Sequence, residues 1–351
     1  MSIDNEWSDM PKPKAHEHLR PLADAEPLTG FVFKKELGAY YLRVDDQIVA
    51  CTLSSKLRKR LVYPTADRSS LGRRSVQDVK GIRELDPVAV GDIVRYINAG
   101  DGAGMIMEVQ PRRNKFVRPA AGSREQSQVI AANLDQVVMI FAAAQPRPTW
   151  HLLDRYLIVA EVEGLRPLIC ITKADLMETE TLLADVDVYQ RLGYPVIITS
   201  VRQRLGLDAL HAALQGKLSV FVGKSGVGKS SLLNALQPGL GLRVAEISES
   251  TGKGRHTTTH LEIFDLDRDS RVVDTPGVKE FGLWGLDEYD MELDFLFPEM
   301  RPFLGQCQFG NSCVHLNEPG CAVKAALEAG EINEGRYRSY TLIMNEAASE
   351  D

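Results

Sequence analysis

The 351-residue chain has no apolar run near the roughly 20 residues that a membrane-spanning helix requires; the longest is Val137–Ala144. Its start, from Met1 to Glu6, has acids where an export signal would have bases followed by an apolar stretch. Cysteine is scarce as well, with five residues unevenly placed, which excludes a disulfide scaffold. These absences set the expectation of a cytoplasmic protein with no membrane partner. Hydrophobic residues at 44% and charged ones at 25% exclude wholesale disorder, and the length suits two or three domains.

Basic charge is lacking overall, the net charge being −7, but the deficit is not uniform. Residues 31–126 carry 18 Lys and Arg against 11 Asp and Glu, so a basic section sits inside an acidic protein and points to a polyanionic partner. Residues 1–29 show no apolar period and are expected to form a flexible arm. From residue 30 to 122 the pattern is one of short strands: Val32 to Lys34, Ala39–Val44, Gln47–Leu53, Asp92–Ile97 and Gly104–Gln110, with turns at Asp45-Asp46 and Gly100–Gly102. Five such strands with a polar insertion at Pro64–Pro87 fit an OB-type barrel, and an SH3-like barrel fits nearly as well. Its bases, Lys56, Arg58, Lys59, Arg60, Arg73, Arg74, Arg112 and Arg113, interleave with Tyr40, Tyr41, Tyr63 and Phe116. Charge to neutralise phosphate and rings to stack on bases make an RNA groove; the alternative is a solvated barrel with tyrosines in its core.

Residues 123–290 alternate strands and helices, as in a mostly parallel α/β sheet. Strand Leu218–Val222 leads into Gly223-Lys224-Ser225-Gly226-Val227-Gly228-Lys229-Ser230-Ser231, a full GxxxxGKS followed by a helix to Leu236. In this loop backbone N–H groups wrap phosphates, Lys229 reaches the β and γ oxygens and Ser230 ligates Mg²⁺. Asp274-Thr275-Pro276-Gly277 closes a second strand, where an acid helps to hold Mg²⁺ and a glycine N–H senses the γ-phosphate. Between them runs Gly252 to His260, with Thr258 offered to the metal. Strand Pro167–Ile171 ends in Thr172-Lys173-Ala174-Asp175, and Ser200 follows 25 residues after the aspartate. A carboxylate there accepts from N1–H and the exocyclic amine of guanine, a donor pair adenine lacks, so GTP is favoured and an ATP-dependent enzyme is not. The guanine-reading segments precede the phosphate loop, so the site is circularly permuted. Residues 291–351 contain Cys307, Cys313, His315 and Cys321, three thiolates and an imidazole suited to one structural, tetrahedral Zn²⁺; Cys51 and Cys170 read as buried small residues. Helices are expected at Ala322–Ala329 and Gly335–Ala347, the second bearing Arg336, Tyr337, Arg338 and Tyr340, which either touch RNA or pack.

The barrel, the permuted order, GVGKSSLLNAL, GRHTTTH, DTPGVKEFGL and the Cys/Cys/His/Cys knuckle together resemble the ribosome small-subunit-dependent GTPase A family. The resemblance spans nearly the whole chain. It implies a multidomain α/β protein: an N-terminal OB barrel, a circularly permuted P-loop GTPase domain and a C-terminal zinc-knuckle helical domain. It implies a factor, expected as a monomer, that binds the 30S subunit and 16S rRNA late in maturation and hydrolyses GTP to GDP and phosphate to release assembly factors or itself. The sequence departs from the family pattern at Thr172, in place of Asn, and in the five rather than four residues between Cys307 and Cys313. Val278 occupies the position where Ras-like enzymes orient water with Gln, which points to slow intrinsic hydrolysis and to His256 as the group that supplies the missing function. A nucleotide-gated RNA-binding module with little hydrolysis is the competing expectation.

Overall fold

A computed structural model describes residues 26–36, 38–60, 65–66, 74–75, 85–119, 127–240, 261–266, 269–274 and 292–348. The chain opens with β1 (Leu28–Glu36), β2 (Ala39–Val44), β3 (Gln47–Leu53) and the single-turn helix α1 (Ser55–Arg58). A short pair follows, β4 (Thr65–Ala66) and β5 (Arg74–Ser75), then β6 (Ile93–Gly100) and β7 (Ala103–Val109). The order β1-β2-β3-β7-β6, with β6 paired back onto β1, closes a five-stranded OB-like barrel. Only β3 and β7 run parallel within it, with Ala50 opposite Ala103. Asp45 at φ 50° makes the first hairpin turn, and Gly100, Asp101 and Gly102 all take positive φ in the second.

Strand β2 is buried on both faces from Ala39 to Leu42, which hides its alternation. Tyr40 points inward with Val32, Leu42, Cys51, Tyr96 and Ile106, whereas its neighbour Tyr41 points outward into a second core shared with Phe33, Phe116, Ile130 and Met139. Each buried ring contributes roughly 1.5–3 kcal/mol. Tyr40, Tyr41 and Phe116 are thus core residues, which corrects the expectation that they stack on bases; Tyr63 lies outside the described residues. Cys51 and Cys170 are fully buried, as expected, and burial pushes both thiols up to about 12.

A hairpin not legible in the sequence, β8 (Lys115–Pro119) with β9 (Ser127–Ala132), connects the barrel to the α/β region. There β10 (Gln136–Ala142), α2 (Trp150–Val162), β11 (Arg166–Thr172), α3 (Thr179–Arg191), β12 (Val196–Ile198), α4 (Leu207–Leu214), β13 (Leu218–Val222), α5 (Lys229–Leu236), β14 (Leu261–Asp265) and β15 (Arg271–Asp274) follow. The sheet order is β12-β11-β10-β13-β15-β14, parallel except for β14. Its central strand β10 is buried at every position, so one face packs Val137, Met139 and Ile169 and the other Val138, Ile140 and Phe221. All the parallel strands end at one edge, which collects the loops after β10, β11, β12 and β13. β14 also pairs with β1, Lys34 opposite Glu262 and Lys35 opposite Leu261, so barrel and α/β region form one eleven-stranded sheet.

The C-terminal section is a run of 3₁₀ turns followed by α6 (Ala322–Glu328) and α7 (Glu334–Ala348). Its core of Leu296, Phe297, Met300, Val323 and Tyr340 takes in Ile158 of α2, which seats it on the α/β region. Arg336 and Tyr340 are buried there, and packing rather than RNA contact accounts for that face of α7. Among the described residues no helix is long and apolar enough to cross a membrane.

Candidate functional site

The loop from Gly223 to Gly228 leaves β13 and enters α5 at Lys229. A Cβ on Gly223 would lie 2.2 Å from the Ile140 carbonyl oxygen, and Gly228, the residue before the helix, has φ 96°; both positions therefore require glycine. The Lys229 ammonium donates to the carbonyls of Gly223 at 2.6 Å and Lys224 at 3.0 Å, which holds it across the loop mouth. Lys224 reaches out to the Thr149 hydroxyl at 3.2 Å, while Val227 is buried beneath the loop and Ser230 and Ser231 are half-buried in the first turn of α5. The first N–H groups of that helix and the open loop form a positive, donor-rich cradle.

The segment from Thr172 to Asp175 is brought to the same edge. The Thr172 hydroxyl, buried, donates to the Val227 carbonyl and so ties the segment from Thr172 to Asp175 to the loop after β13. Lys173, in the left-handed region at φ 55°, spans from β11 to the Gly226 carbonyl at 2.7 Å and to the Gln145 carbonyl. Burial lowers its pKa, and the charge of Asp175 opposes that shift. The Ala174 N–H donates to the Thr199 carbonyl at 3.1 Å, and the Ser200 hydroxyl donates to Asp175 Oδ1 at 2.6 Å while accepting from the Gln203 N–H. Two strands and the loops behind them thus fix a single carboxylate. Asp274 ends β15 beside β13, its neighbour Val273 opposite Val220, so its backbone belongs to the same edge. His256, Thr258, Gly277 and Val278 lie outside the described residues.

In the C-terminal section the ligand atoms of Cys307, Cys313, His315 and Cys321 all lie within 4.8 Å of one another, and all four residues are buried. Cys307 Sγ is 3.9 Å from Cys321 Sγ and 3.5 Å from His315 Nδ1, which is 3.4 Å from Cys321 Sγ. Tetrahedral zinc with ordinary bond lengths would set these edges at about 3.8 and 3.5 Å, so the donor set fits that ion. The extra residue between Cys307 and Cys313 is absorbed by a 3₁₀ turn at Gly310–Ser312, where Gly310 takes φ 52°. Burial raises the Cys307 thiol, but hydrogen bonds from the Ala322 N–H, the Cys313 thiol, the Val323 N–H and the Cys321 thiol reverse this and lower it. His315 Nε2 lies 3.0 Å from Asp294 Oδ2, a partner no local sequence pattern announces, and this contact directs Nδ1 at the thiols.

The basic candidates divide. Lys56, Arg58, Lys59 and Arg60 are exposed on and just after α1, which is anchored by buried Leu57. Arg112 instead pairs with the fully buried Asp92 at 2.8 Å and donates to the Pro87 carbonyl at 3.0 Å, a correction to its reading as an RNA contact: removing it would leave a buried carboxylate unpaired. Arg113 is bound to Asp135 and to the carbonyls of Asn133 and Leu134, bracing the barrel against β10. Arg74 is described only as part of β5, and Arg73 lies outside the described residues.

The RsgA GTPase family model matches residues 109–284. A protein of Gemmatimonas aurantiaca named small ribosomal subunit biogenesis GTPase RsgA is 43% identical over 74% of this chain and 84% of its own. One of the same name from Alkaliphilus metalliredigens is 37% identical over 90% of this chain and 97% of its own. Among solved structures, YjeQ from Thermotoga maritima is 29% identical with a TM-score of 0.64, covering 92% of this chain and 98% of that one. YloQ, described as a circularly permuted GTPase, is 30% identical with a TM-score of 0.64, covering 95% and 99%. With the segment from Thr172 to Asp175 ahead of the Gly223–Ser231 loop and packed against it, the chain belongs to the RsgA GTPase family and is a GTP-hydrolysing enzyme of circularly permuted fold.

Proposed function

We propose that this GTPase is activated by the small ribosomal subunit, binds 16S rRNA and hydrolyses GTP late in 30S maturation to release assembly factors or itself. The observation that carries the reading is the Ser200–Asp175 hydrogen bond joined through Thr172 to the phosphate loop, a guanine-specific site in a chain whose relatives bear the small-subunit biogenesis name. Asp175 accepts from the guanine N1–H and amine, while Lys173 and Ala174 frame the base. The residues from Gly223 to Gly228 present N–H groups to the phosphates, Lys229 neutralises the β and γ oxygens, and Gly277 senses the γ-phosphate. Ser230, Thr258 and Asp274 are the residues that would hold Mg²⁺, which supplies charge neutralisation when bound. Cys307, Cys313, His315 and Cys321 hold one structural Zn²⁺, and the exposed bases around α1 meet rRNA. His256 orients the attacking water in place of the glutamine that Val278 replaces.

The test is phosphate release by the purified protein, alone and with small ribosomal subunits at matched magnesium and salt, with GTP and with ATP. A large stimulation confined to GTP supports the reading. Slow turnover in both conditions, with tight GTP-dependent subunit binding, would replace it with the nucleotide-gated binding module that Val278 favours.

A further inference from the structure

Three hydroxyls lie where β11 and β12 end, and the structure commits each of them. Ser200 donates to Asp175, Thr199 donates to the Ile171 carbonyl at 3.1 Å, and Thr172 donates to the Val227 carbonyl. Thr172 Oγ1 also lies 3.3 Å from the Phe141 carbonyl oxygen. Both of these neighbours are acceptors and a threonine hydroxyl has a single proton, so nothing remains for it to donate to a third group. At 3% exposure the side chain is closed in between β10 and the loop after β13. Lys173, the next residue, directs its ammonium to the carbonyls of Gly226 and Gln145.

Guanine offers two edges to a protein. One carries the N1–H and the amine that Asp175 is proposed above to read, a contact on which this inference rests. The other carries N7 and O6, which are acceptors and call for a donor. A base held by Asp175, with its phosphates at Gly223 to Gly228, places its five-membered ring between the two. Thr172 belongs to that interval, since a Cβ on Gly228 would lie 3.8 Å from its hydroxyl oxygen. Asparagine, the residue of the family pattern at this position, has two amide protons: one keeps the tie to Val227 and the other is free for N7. Threonine cannot do both. We propose that Thr172 sets the base specificity of the site by leaving N7 unread, so that guanine nucleotides with no acceptor at ring position 7 are taken as readily as GTP. Discrimination then falls on the N1–H and the amine.

The experiment is titration calorimetry of the full chain with magnesium and three nucleotides, for wild type and Thr172→Asn. The nucleotides are GTP, 7-deaza-GTP, which has the same shape with C–H in place of N7, and inosine triphosphate, which keeps N7 but lacks the amine. Wild type is expected to bind 7-deaza-GTP within about twofold of GTP, and inosine triphosphate about tenfold or more weakly. Thr172→Asn is expected to acquire a preference of about five- to tenfold for GTP over 7-deaza-GTP, the size of one hydrogen bond. Each comparison is made within one protein, so a general loss of affinity in the variant cancels, and the wild-type comparison decides even if the variant does not fold. A wild-type affinity for 7-deaza-GTP about fivefold or more below that for GTP overturns the proposal, because N7 then has a donor. A folded variant that treats the two alike overturns the placement of Thr172 at N7. Inosine triphosphate bound by the wild type as tightly as GTP is a different failure: Asp175 then does not read the amine, and the proposed guanine site falls with the inference built on it.

Discussion

Asp154 of α2 and Arg336 of α7 form an ion pair at 2.7 Å, with both side chains at most 2% exposed. Burial by itself lowers a guanidinium pKa, but Asp154 and Glu299 more than reverse that and hold Arg336 above its ordinary value. Glu299 takes the other side of the guanidinium at 2.6 Å, and Asp154 also accepts from Tyr189 and Ser339. The pair joins α2 of the α/β region to α7 of the C-terminal section through a buried contact.

Loss of one partner from such a pair leaves a buried charge uncompensated, which costs about 3–5 kcal/mol. Arg336→Met fits the same volume and strands both Asp154 and Glu299. Urea unfolding is expected to show a loss of about 3 kcal/mol or more for that variant. A loss under 1 kcal/mol would mean that water reaches the pair.

Ser200→Ala removes the donor that orients Asp175 and disturbs nothing else of comparable strength. A hydrogen bond to a charged acceptor is worth about 1.5–3 kcal/mol, so the affinity for GTP is expected to fall about tenfold or more. Titration calorimetry measures it, with ATP as the control whose already weak binding does not change. Equal GTP affinity in wild type and variant would show that Asp175 needs no such support.

Asp294→Ala leaves the four ligands of the knuckle intact but releases His315 Nε2. Outer partners of this kind typically alter metal affinity about 10–100-fold. Competition with a chelating dye is expected to show that loss, against one zinc per chain in the wild type by elemental analysis. An unchanged affinity would assign His315 its orientation from elsewhere, with the Tyr337 hydroxyl on the His315 carbonyl the next contact to remove.

What the sequence reveals and what it hides divide along a physical line. The Gly223–Ser231 loop, Thr172 to Asp175 and the cluster of Cys307, Cys313, His315 and Cys321 are legible because their chemistry demands fixed residue types at short spacing. The barrel strands are legible through their turns, Asp45-Asp46 and Gly100–Gly102. Hidden are pairings set by distant burial: Arg112 looks like a surface base until Asp92, twenty residues away, is found fully buried beneath it. Tyr40 and Tyr41 look like a stacking pair until both sides of β2 prove to be covered. The β1–β14 ladder joins segments more than 220 residues apart, and Asp294 meets His315 across a run of irregular turns; neither leaves a period to read.

Lys229 is held across the mouth of the Gly223–Gly228 loop and Asp175 is fixed by Ser200, so the residues proposed to bind nucleotide are parts the fold assembles without help. Water orientation is different on the proposed reading, because the valine side chain at position 278 has no polar atom and the imidazoles in the sequence between the loop and Asp274 are those of His256 and His260. If His256 supplies that contact once the subunit is bound, His256→Ala abolishes subunit-stimulated phosphate release, leaves GTP affinity within about twofold of wild type and leaves the slow basal rate in place. Single-turnover hydrolysis with saturating subunits separates chemistry from product release in this comparison. Full stimulation in the variant would move the role to another group, and His260→Ala under the same conditions is the control that shows whether the position or merely an imidazole is needed.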